Sequence, residues 1–374
     1  MRVVFGLLII VCAVLDTYGQ KADSLLRLSE DSTTTTSKKE RNWAVYPAAD
    51  VSPEIGVGVG AITFFVFEDK IDDGIDRVSA ITPFFLYTSN RQMMTLADVD
   101  YYFKNGNNVN GTIRYFNFPD KYFGIGSGTD PDLVDGYTDR YFRLDGRITR
   151  PQNDHLFLGI YYDLQYNNII KYDKDSLLAA DSPNGIKGGR NMGLGPGLQY
   201  DTRNNTLYPT DGCLINLGIT VFSEAIGGEY NYQQYVIDFR QYFEFLSSKN
   251  VLAYQFQSNM MSGTDIPFYK LNRIAGDERL RGIGHKNLYR DRQSVYFQVE
   301  GRQELFWRFG GVVFAGVGQV FDKFKDLNVN NTRMVYGLGG RFQAIKGKKM
   351  NVRLDLGFSD QGEHALYLSV REAF

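Results

Sequence analysis

Acid–base and metal chemistry in proteins most often uses histidine, and this chain has only three. His155 and His364 fall at the starts of predicted strands, where a residue at the water interface is expected, and His285 lies in a long predicted loop. Asp69–Gly74 half-resembles a calcium loop but has isoleucine at a ligand position. Gly340–Lys349 lacks the glycine and lysine spacing of a phosphate loop. We therefore expect no enzyme activity, no metal site and no cofactor.

The composition favours one large all-β barrel over two or three soluble domains, which would also fit this length. Aromatic residues make up 14% of the 374 residues, and 39 glycines stand beside only 10 prolines, which suits strands and tight turns. The net charge is −2, so the sequence has neither the basic excess of a nucleic-acid-binding protein nor the acidic excess typical of disorder. Two cysteines cannot form a disulfide framework.

Apolar and polar residues alternate along the body of the chain. In Met350–Ser359 the even positions are apolar and the odd positions are polar or glycine, and Leu156–Asn167 has an apolar even face opposite one that includes Asp163. Successive side chains of a strand point to opposite faces, so each segment has one apolar face and one polar face. The apolar faces end in tyrosine and phenylalanine, and the polar faces carry charges of both signs, as in a transmembrane barrel.

Sixteen such segments are predicted, an even number, as a closed antiparallel barrel with both ends on one side requires. They are 43–51, 54–67, 77–88, 92–104, 109–119, 139–150, 154–170, 189–203, 211–225, 231–245, 250–263, 293–307, 309–322, 332–345, 350–360 and 363–374. The predicted fold class is all-β, a sixteen-stranded antiparallel transmembrane β-barrel. Its inward-facing charges are interpreted as solvated wall residues: Asp163, Asp238, Arg240, Arg353 and Asp355.

The two ends of the chain suggest export to an outer membrane. Residues 1–19 carry an apolar run too short to span a membrane as a helix, and we predict a signal peptide there. The polar residues 20–42 are predicted to be a flexible periplasmic linker, and residues 43–374 the barrel. At the far end, Phe374 continues the alternation of Leu366, Leu368 and Val370, with Glu372 as an exception. We predict that Phe374 is the terminal assembly signal read by the barrel assembly machinery.

Four segments of residues 43–374 contain motifs that are more specific than the alternation. They are FGIGSGT (123–129), YDTRNNTLYPTDGCLINLG (200–218), PFYKLNRIAGDERLRGIGHKNLYRD (267–291) and FAGVGQVFD (314–322). Over residues 43–374 the chain resembles the BamA/TamA family of outer-membrane assembly and transport barrels. The most specific part is Leu280-Arg281-Gly282, where the family pattern is Arg-Gly-aromatic.

The resemblance implies that a long loop folds into the lumen and that its arginine meets acidic residues on the following strands. By position, the loop motif is Arg281, Gly282 and Gly284, and the acidic partner is Glu300. Local alternation independently places Glu300 on the polar face, together with Gln298. An arginine–carboxylate pair of this kind suits register and placement more than raw stability.

The sequence departs from the family pattern near this motif. The next strand usually reads Phe-x-Asp-x-Gly, and here it has Phe314, Gly316 and Gly318, so glycine replaces the second acidic partner. Ile283 replaces the aromatic residue of the loop. Assembly-type members also carry periplasmic polypeptide-transport-associated domains, which residues 20–42 are too few to form. The resemblance therefore implies a barrel-only member, in which client handling is either absent or supplied by a separate periplasmic client-binding protein.

These features favour an integral protein of a Gram-negative outer membrane, in contact with lipid and not with nucleic acid. Its implied role is to assist insertion or translocation of proteins or other cargo, with a weak seam between the first and last strands, where Pro47 lacks a donor. The alternative is a passive channel or structural surface antigen that kept the fold without the activity. The polar loop 171–191 is a third hypothesis, as a ligand-binding surface.

Overall fold

The alternating segments form one antiparallel sheet of sixteen strands, in which each strand pairs with its neighbours along the chain. The structure is a computed structural model that describes residues 42–52, 56–67, 78–345 and 350–374. The predicted signal peptide, the predicted linker up to residue 41 and Asp69–Gly74 lie outside the described residues.

The wall strands are β1 (Trp43–Ser52), β2 (Gly56–Phe67), β3 (Ser79–Thr88), β4 (Met93–Tyr102), β5 (Asn108–Tyr122), β6 (Asp135–Pro151), β7 (Leu156–Tyr172), β8 (Gly188–Asp201), β9 (Gly212–Phe222), β10 (Tyr232–Phe245), β11 (Ser247–Ser262), β14 (Gln293–Phe306), β15 (Phe309–Phe321), β16 (Arg333–Gln343), β17 (Asn351–Ser359) and β18 (His364–Val370). Two short strands, β12 (Asn272–Arg273) and β13 (Arg290–Asp291), pair with each other in a separate small sheet. Short helical segments are Leu177–Asp181, Glu224–Ile226, Phe268–Lys270, Phe324–Asp326 and Val329–Asn331.

The predicted fold class is confirmed, and each of the sixteen predicted segments overlaps one wall strand. The boundaries differ by a few residues at most ends, as where the predicted segment 139–150 becomes Asp135–Pro151. The last segment differs more, because β18 ends at Val370 instead of continuing to Phe374.

The two faces of the sheet have opposite character. Outward-pointing apolar side chains such as Ile160, Val313 and Leu338 are 57%, 64% and 59% exposed. Inward-pointing polar side chains such as Gln255 and Gln298 are buried. An apolar exterior around a polar interior is the arrangement that lipid requires of a barrel wall. In the described ranges, no helical segment is long and apolar enough to cross a membrane.

The strands alternate in direction, which gives the barrel two different ends. At one end, here called the loop end, lie the connections 123–134, 173–187 and 263–292. At the other, here called the turn end, lie the connections 202–211 and 307–308.

The two edge strands of the sheet approach each other at the turn end. The Tyr46 hydroxyl of β1 donates to the carbonyl oxygen of Ala344 at 2.5 Å. Tyr46 and Val370, which is the last residue of β18, both pack on an apolar cluster that includes Phe64 and Ile345. The sheet therefore curves until its first and last strands share one set of side-chain contacts.

Candidate functional site

The connection of residues 263–292, between β11 and β14, folds into the lumen and is called the lumen loop below. Its two arms pair through β12 and β13, with Asn272 opposite Asp291 and Arg273 opposite Arg290. Beyond this pairing, Ile274, Leu280 and Ile283 are fully buried, in a cluster with inward-facing residues of β14, β15 and β16. The loop therefore supplies an apolar core inside a polar wall.

The base of the lumen loop is anchored by aromatic packing at the loop end. The ring of Phe268 is almost fully buried and meets the rings of Tyr122 and Tyr137 edge-on, with centroids 5.6 Å apart in each pair. Leu178, on the short helix of the 173–187 connection, packs in the same cluster. The loop 171–191, suggested from the sequence as a ligand-binding surface, thus has a packing role through this helix.

The segment FGIGSGT is a second anchor at the loop end. The Gly126 amide donates to the carbonyl oxygen of Arg290 at 2.8 Å. The Thr129 hydroxyl donates to the carbonyl oxygen of Leu288, and Arg333 of β16 donates to the carbonyl oxygen of Ser127 at 2.7 Å. The first two bonds tie the lumen loop to the connection 123–134, and the third ties that connection to β16.

Arg281 lies at the tip of the lumen loop and is completely buried. Its guanidinium bonds to the carboxylate of Glu300 on β14 and, at 2.8 Å, to the carboxylate of Asp355 on β17. The guanidinium carbon also lies 3.9 Å from the centroid of the Phe314 ring on β15. One loop residue thus contacts three wall strands, and Arg281 and Glu300 are brought together as the resemblance implied.

Among the residues that the structure describes, Arg281 is part of a balanced network of four arginines and four carboxylates. The members are Arg281, Arg302, Arg341, Arg353, Asp277, Glu300, Asp355 and Glu372. Arg302 bonds to Glu300 at 2.9 Å, and Arg341 bonds to Asp355 at 2.5 Å. Apart from Asp277 the side chains are nearly or fully buried. Removing charges from water costs free energy. Such a network therefore fixes the positions of its side chains only while every ion-pair partner is present.

The absence of an acidic residue at position 316 has a packing explanation. A Cβ on Gly316 would lie 2.6 Å from a methyl carbon of Leu280, which fills the space beside β15. The second carboxylate for Arg281 comes instead from Asp355, which is two strands further along the sheet. Gly318 is similarly crowded, since a Cβ there would lie 2.5 Å from that of Tyr296. Gly284 lies next to Glu363 without such crowding.

The interpretation of the inward charges as solvated wall residues is wrong for Asp163, Asp238, Arg353 and Asp355. All four side chains are buried, because the lumen loop and neighbouring ion pairs occupy the space beside them. Asp163 bonds to Lys270 of the loop at 2.5 Å, and Asp238 bonds to the partly exposed Arg240 at 2.7 Å. The predicted water-filled lumen is therefore filled with protein at these positions.

Phe374 does not continue the outward-facing row of β18. The chain turns at Arg371, whose φ of 62° lies in the left-handed region, and Glu372, Ala373 and Phe374 are buried. The Phe374 ring packs with Tyr242 and Ala253, and Arg302 donates to the main-chain oxygen of Phe374 at 2.8 Å. Glu372, which interrupts the apolar pattern, accepts from Arg341 at 2.8 Å. The alternation ends because Glu372 and Phe374 have partners inside the barrel.

The segment 201–212 crosses the turn end. Asp201 and Arg203 form a buried pair at 2.7 Å, which fixes the start of this connection. The Thr206 hydroxyl lies 3.3 Å from both the amide nitrogen and the carbonyl oxygen of Val78, at the start of β3. The Thr210 hydroxyl donates to Glu244 of β10 at 2.6 Å. This segment is one of those that carry the family resemblance. It therefore links β8 and β9 to the start of β3.

The tip of the lumen loop also meets β17 through backbone. A Cβ added to Gly357 would overlap the carbonyl oxygen of Arg281, and one added to Gly282 would lie 2.5 Å from the carbonyl oxygen of Phe358. Gly282 has a φ of 144°, which a side chain would strain further. The two glycines allow the backbones to touch where Arg281 reaches its carboxylates.

Gly357→Ala is expected to displace the loop tip and to lower the free energy of unfolding by about 1–3 kcal/mol, as overpacking does. Trypsin cleavage after Arg279 or Arg281 in folded protein would report the displacement. The matched control is Gly340→Ala on the neighbouring strand β16, where an added Cβ meets nothing within 4 Å. Equal protection of the loop in both variants would contradict the close backbone contact.

His285 lies in the lumen loop, and burial lowers the pKa of its imidazole from 6.5 to about 4, helped by Lys286 and opposed by Asp120. The folded state then binds fewer protons than the unfolded state between these two values, so stability falls as pH falls through that window. We expect the thermal midpoint of the wild type to decrease more steeply between pH 6.5 and pH 4 than that of His285→Gln. Parallel midpoint curves for the two proteins would rule out a half-buried imidazole with a lowered pKa.

Sequence reasoning missed the roles of Arg302, Arg341 and Glu372. A signal was present, because Arg341 and Arg353 face each other directly in the register of β16 and β17. Two inward arginines in opposition need a carboxylate between them, and Asp355 supplies it by bonding to both. Among the described residues, no group of three or more histidine, cysteine, aspartate or glutamate side chains could hold a metal ion.

The chain resembles one known family and several solved structures over most of its length. The family model described as the Omp85 superfamily domain matches residues 85–362. BamA from Haemophilus ducreyi lacking POTRA domains 1–3 is similar with a TM-score of 0.53 and 15% identity, over 89% of this chain and 71% of that one. CdiB from Acinetobacter baumannii is similar with a TM-score of 0.53 and 9% identity, over 88% of this chain and 59% of that one. No curated protein matches the sequence.

Proposed function

The chain belongs to the Omp85 superfamily, and from that premise we propose that it assists the insertion or translocation of proteins or other cargo at the outer membrane. The observation that carries this proposal is the lumen loop, which fills space inside the barrel and is fixed at its tip by Arg281. A barrel built only to conduct solutes would not need a packed loop inside its lumen. The proposed role requires no enzymatic step.

In this proposal the lumen loop is a brace for one side of the wall. Arg281 joins β14 and β17 directly, and the rest of the charged network adds β16. If the wall is stiff at these strands, the barrel would open at another pair of strands. The seam between β1 and β18 is the proposed opening.

Two features support a weak seam. β18 has only 7 residues, whereas β6 and β7 have 17 each, so the last strand contributes a short ladder. Pro47 in β1 has no amide hydrogen to donate. An edge with few donors pairs less firmly with its neighbour and is easier to separate from it.

The proposal includes export by an N-terminal signal peptide and residence in the outer membrane of a Gram-negative bacterium. A separate periplasmic protein would capture the clients and deliver them to the turn end of the barrel. The barrel assembly machinery would insert this barrel itself.

The test is client insertion in vitro. Liposomes containing the purified barrel receive an unfolded outer-membrane barrel as client, and folding of the client is followed by its heat-modifiable gel mobility. We expect folding to be at least about tenfold faster than in liposomes with a sixteen-stranded barrel from outside this superfamily. That control accounts for bilayer defects around any barrel. Equal rates in the two preparations would reject the proposed activity.

A further inference from the structure

A small cavity of about 80 Å³ lies between the base of the lumen loop and the inner wall. Arg143 of β6, Gln234 of β10 and Asn259 of β11 line it from the wall. Lys270, Arg273 and Arg279 line it from the loop. Its surface is almost entirely polar, and one water molecule needs only about 10–15 Å³, so the space suits a small polyatomic ion.

Four of the lining side chains are cationic, and only part of their charge is neutralised. Arg143 bonds to Asp163 at 3.0 Å and to Asp145 at 3.1 Å. Lys270 shares Asp163, at 2.5 Å. The two aspartates therefore form ion pairs with only two of the four cations, Arg143 and Lys270.

The other two cations, Arg273 and Arg279, lie on the lumen loop. Arg273 donates to the amide oxygen of Asn287 at 2.8 Å, which carries no charge. Within the described part of the chain, neither arginine has a carboxylate at ion-pair distance. Burial and the charges of Arg279 and Arg290 lower the pKa of Arg273 to about 10, consistent with excess positive charge here.

We propose that this cavity binds a doubly charged tetrahedral oxyanion of the phosphate type, held chiefly by Arg273 and Arg279. Two negative charges balance the two arginines that lack carboxylate partners. Guanidinium groups match oxyanions because they present several donors in one plane. An oxyanion in this place would join the lumen loop to the inner wall at Arg143.

Phosphate could reach the cavity as a free ion or as a phosphate monoester of a lipid head group, and calorimetric titration of the folded barrel in detergent separates the two. The probes are inorganic phosphate, phosphoethanolamine, and chloride at matched ionic strength. Binding of inorganic phosphate alone indicates a free ion, and binding of phosphoethanolamine indicates a head group. Either result, above the chloride baseline, supports the site.

The decisive variant is Arg279→Gln, which removes a cation without leaving a bonded carboxylate behind. We expect it to weaken binding by at least about tenfold, and Arg273→Gln to do the same. Arg292→Gln is the matched control, because this arginine is in the same loop, pairs with Asp322 and does not line the cavity. A heat-modifiable band establishes that each variant is folded. Wild-type binding no stronger than chloride, or unchanged binding by folded Arg279→Gln, would overturn the proposal.

Discussion

Arg281→Ala is expected to lower the free energy of unfolding by about 3–5 kcal/mol, the range seen when one partner of a buried ion pair is removed. The change leaves a gap inside the barrel and removes one guanidinium from Glu300 and from Asp355, so the buried network that remains has one negative charge too many. It also removes the cation that stacks on the Phe314 ring. Denaturant unfolding of the barrel refolded in detergent would measure the loss.

The matched control is Arg190→Ala. Arg190 pairs with Glu229 at 2.8 Å, and the two side chains are 53% and 46% exposed. Exposed pairs contribute at most about 1 kcal/mol, so this variant should stay close to the wild type. Arg281→Lys is expected to rescue only part of the loss, because a single ammonium cannot match the fork with which arginine bridges two carboxylates. Similar stabilities for Arg281→Ala and Arg190→Ala would contradict the proposed brace.

Phe374→Ala is expected to lower the stability of the refolded barrel by about 3 kcal/mol, because it empties a buried aromatic site. The ring packs against Tyr242 and Ala253 and lies 5.4 Å from the Arg302 guanidinium. The measurement is again denaturant unfolding of protein refolded in detergent, with no assembly machinery present. The absence of the machinery separates a packing role from the predicted role of Phe374 as an assembly signal.

Phe324→Ala provides the control, since that ring is 64% exposed in a connection at the loop end. It should lose little stability. If Phe374→Ala refolds with wild-type stability but fails to assemble in cells, Phe374 acts as a signal and its buried packing contributes little. If the variant is destabilised in detergent, the inward position of Phe374 contributes to the folded state in its own right.

The wall of the barrel could be predicted from the sequence because each strand carries its own evidence. The two-residue alternation in a segment such as Leu156–Asn167 does not depend on which strands lie beside it. Even the pairing order follows simply, since every wall strand pairs with its neighbours in the chain. The family resemblance indicates Arg281 and Glu300, and the alternation of β14 supports Glu300 independently.

The rest of the site depends on contacts between distant residues. Asp355 is 74 residues from Arg281, and no local pattern indicates that it faces the loop tip and not a water-filled lumen. The inward turn at Arg371 was equally hidden, because a left-handed φ at a residue other than glycine has no reliable sequence signal. Leu280 takes the space beside Gly316, which only the packed structure reveals.

Single-channel conductance of the mature barrel in planar bilayers tests the central claim most directly. The claim is that the lumen is occupied by a clamped loop and that the barrel acts on cargo instead of conducting solutes. We predict that the wild type is nearly closed and that Arg281→Ala opens or flickers. Steady and equal conductance of the two proteins would contradict the claim and favour the passive channel.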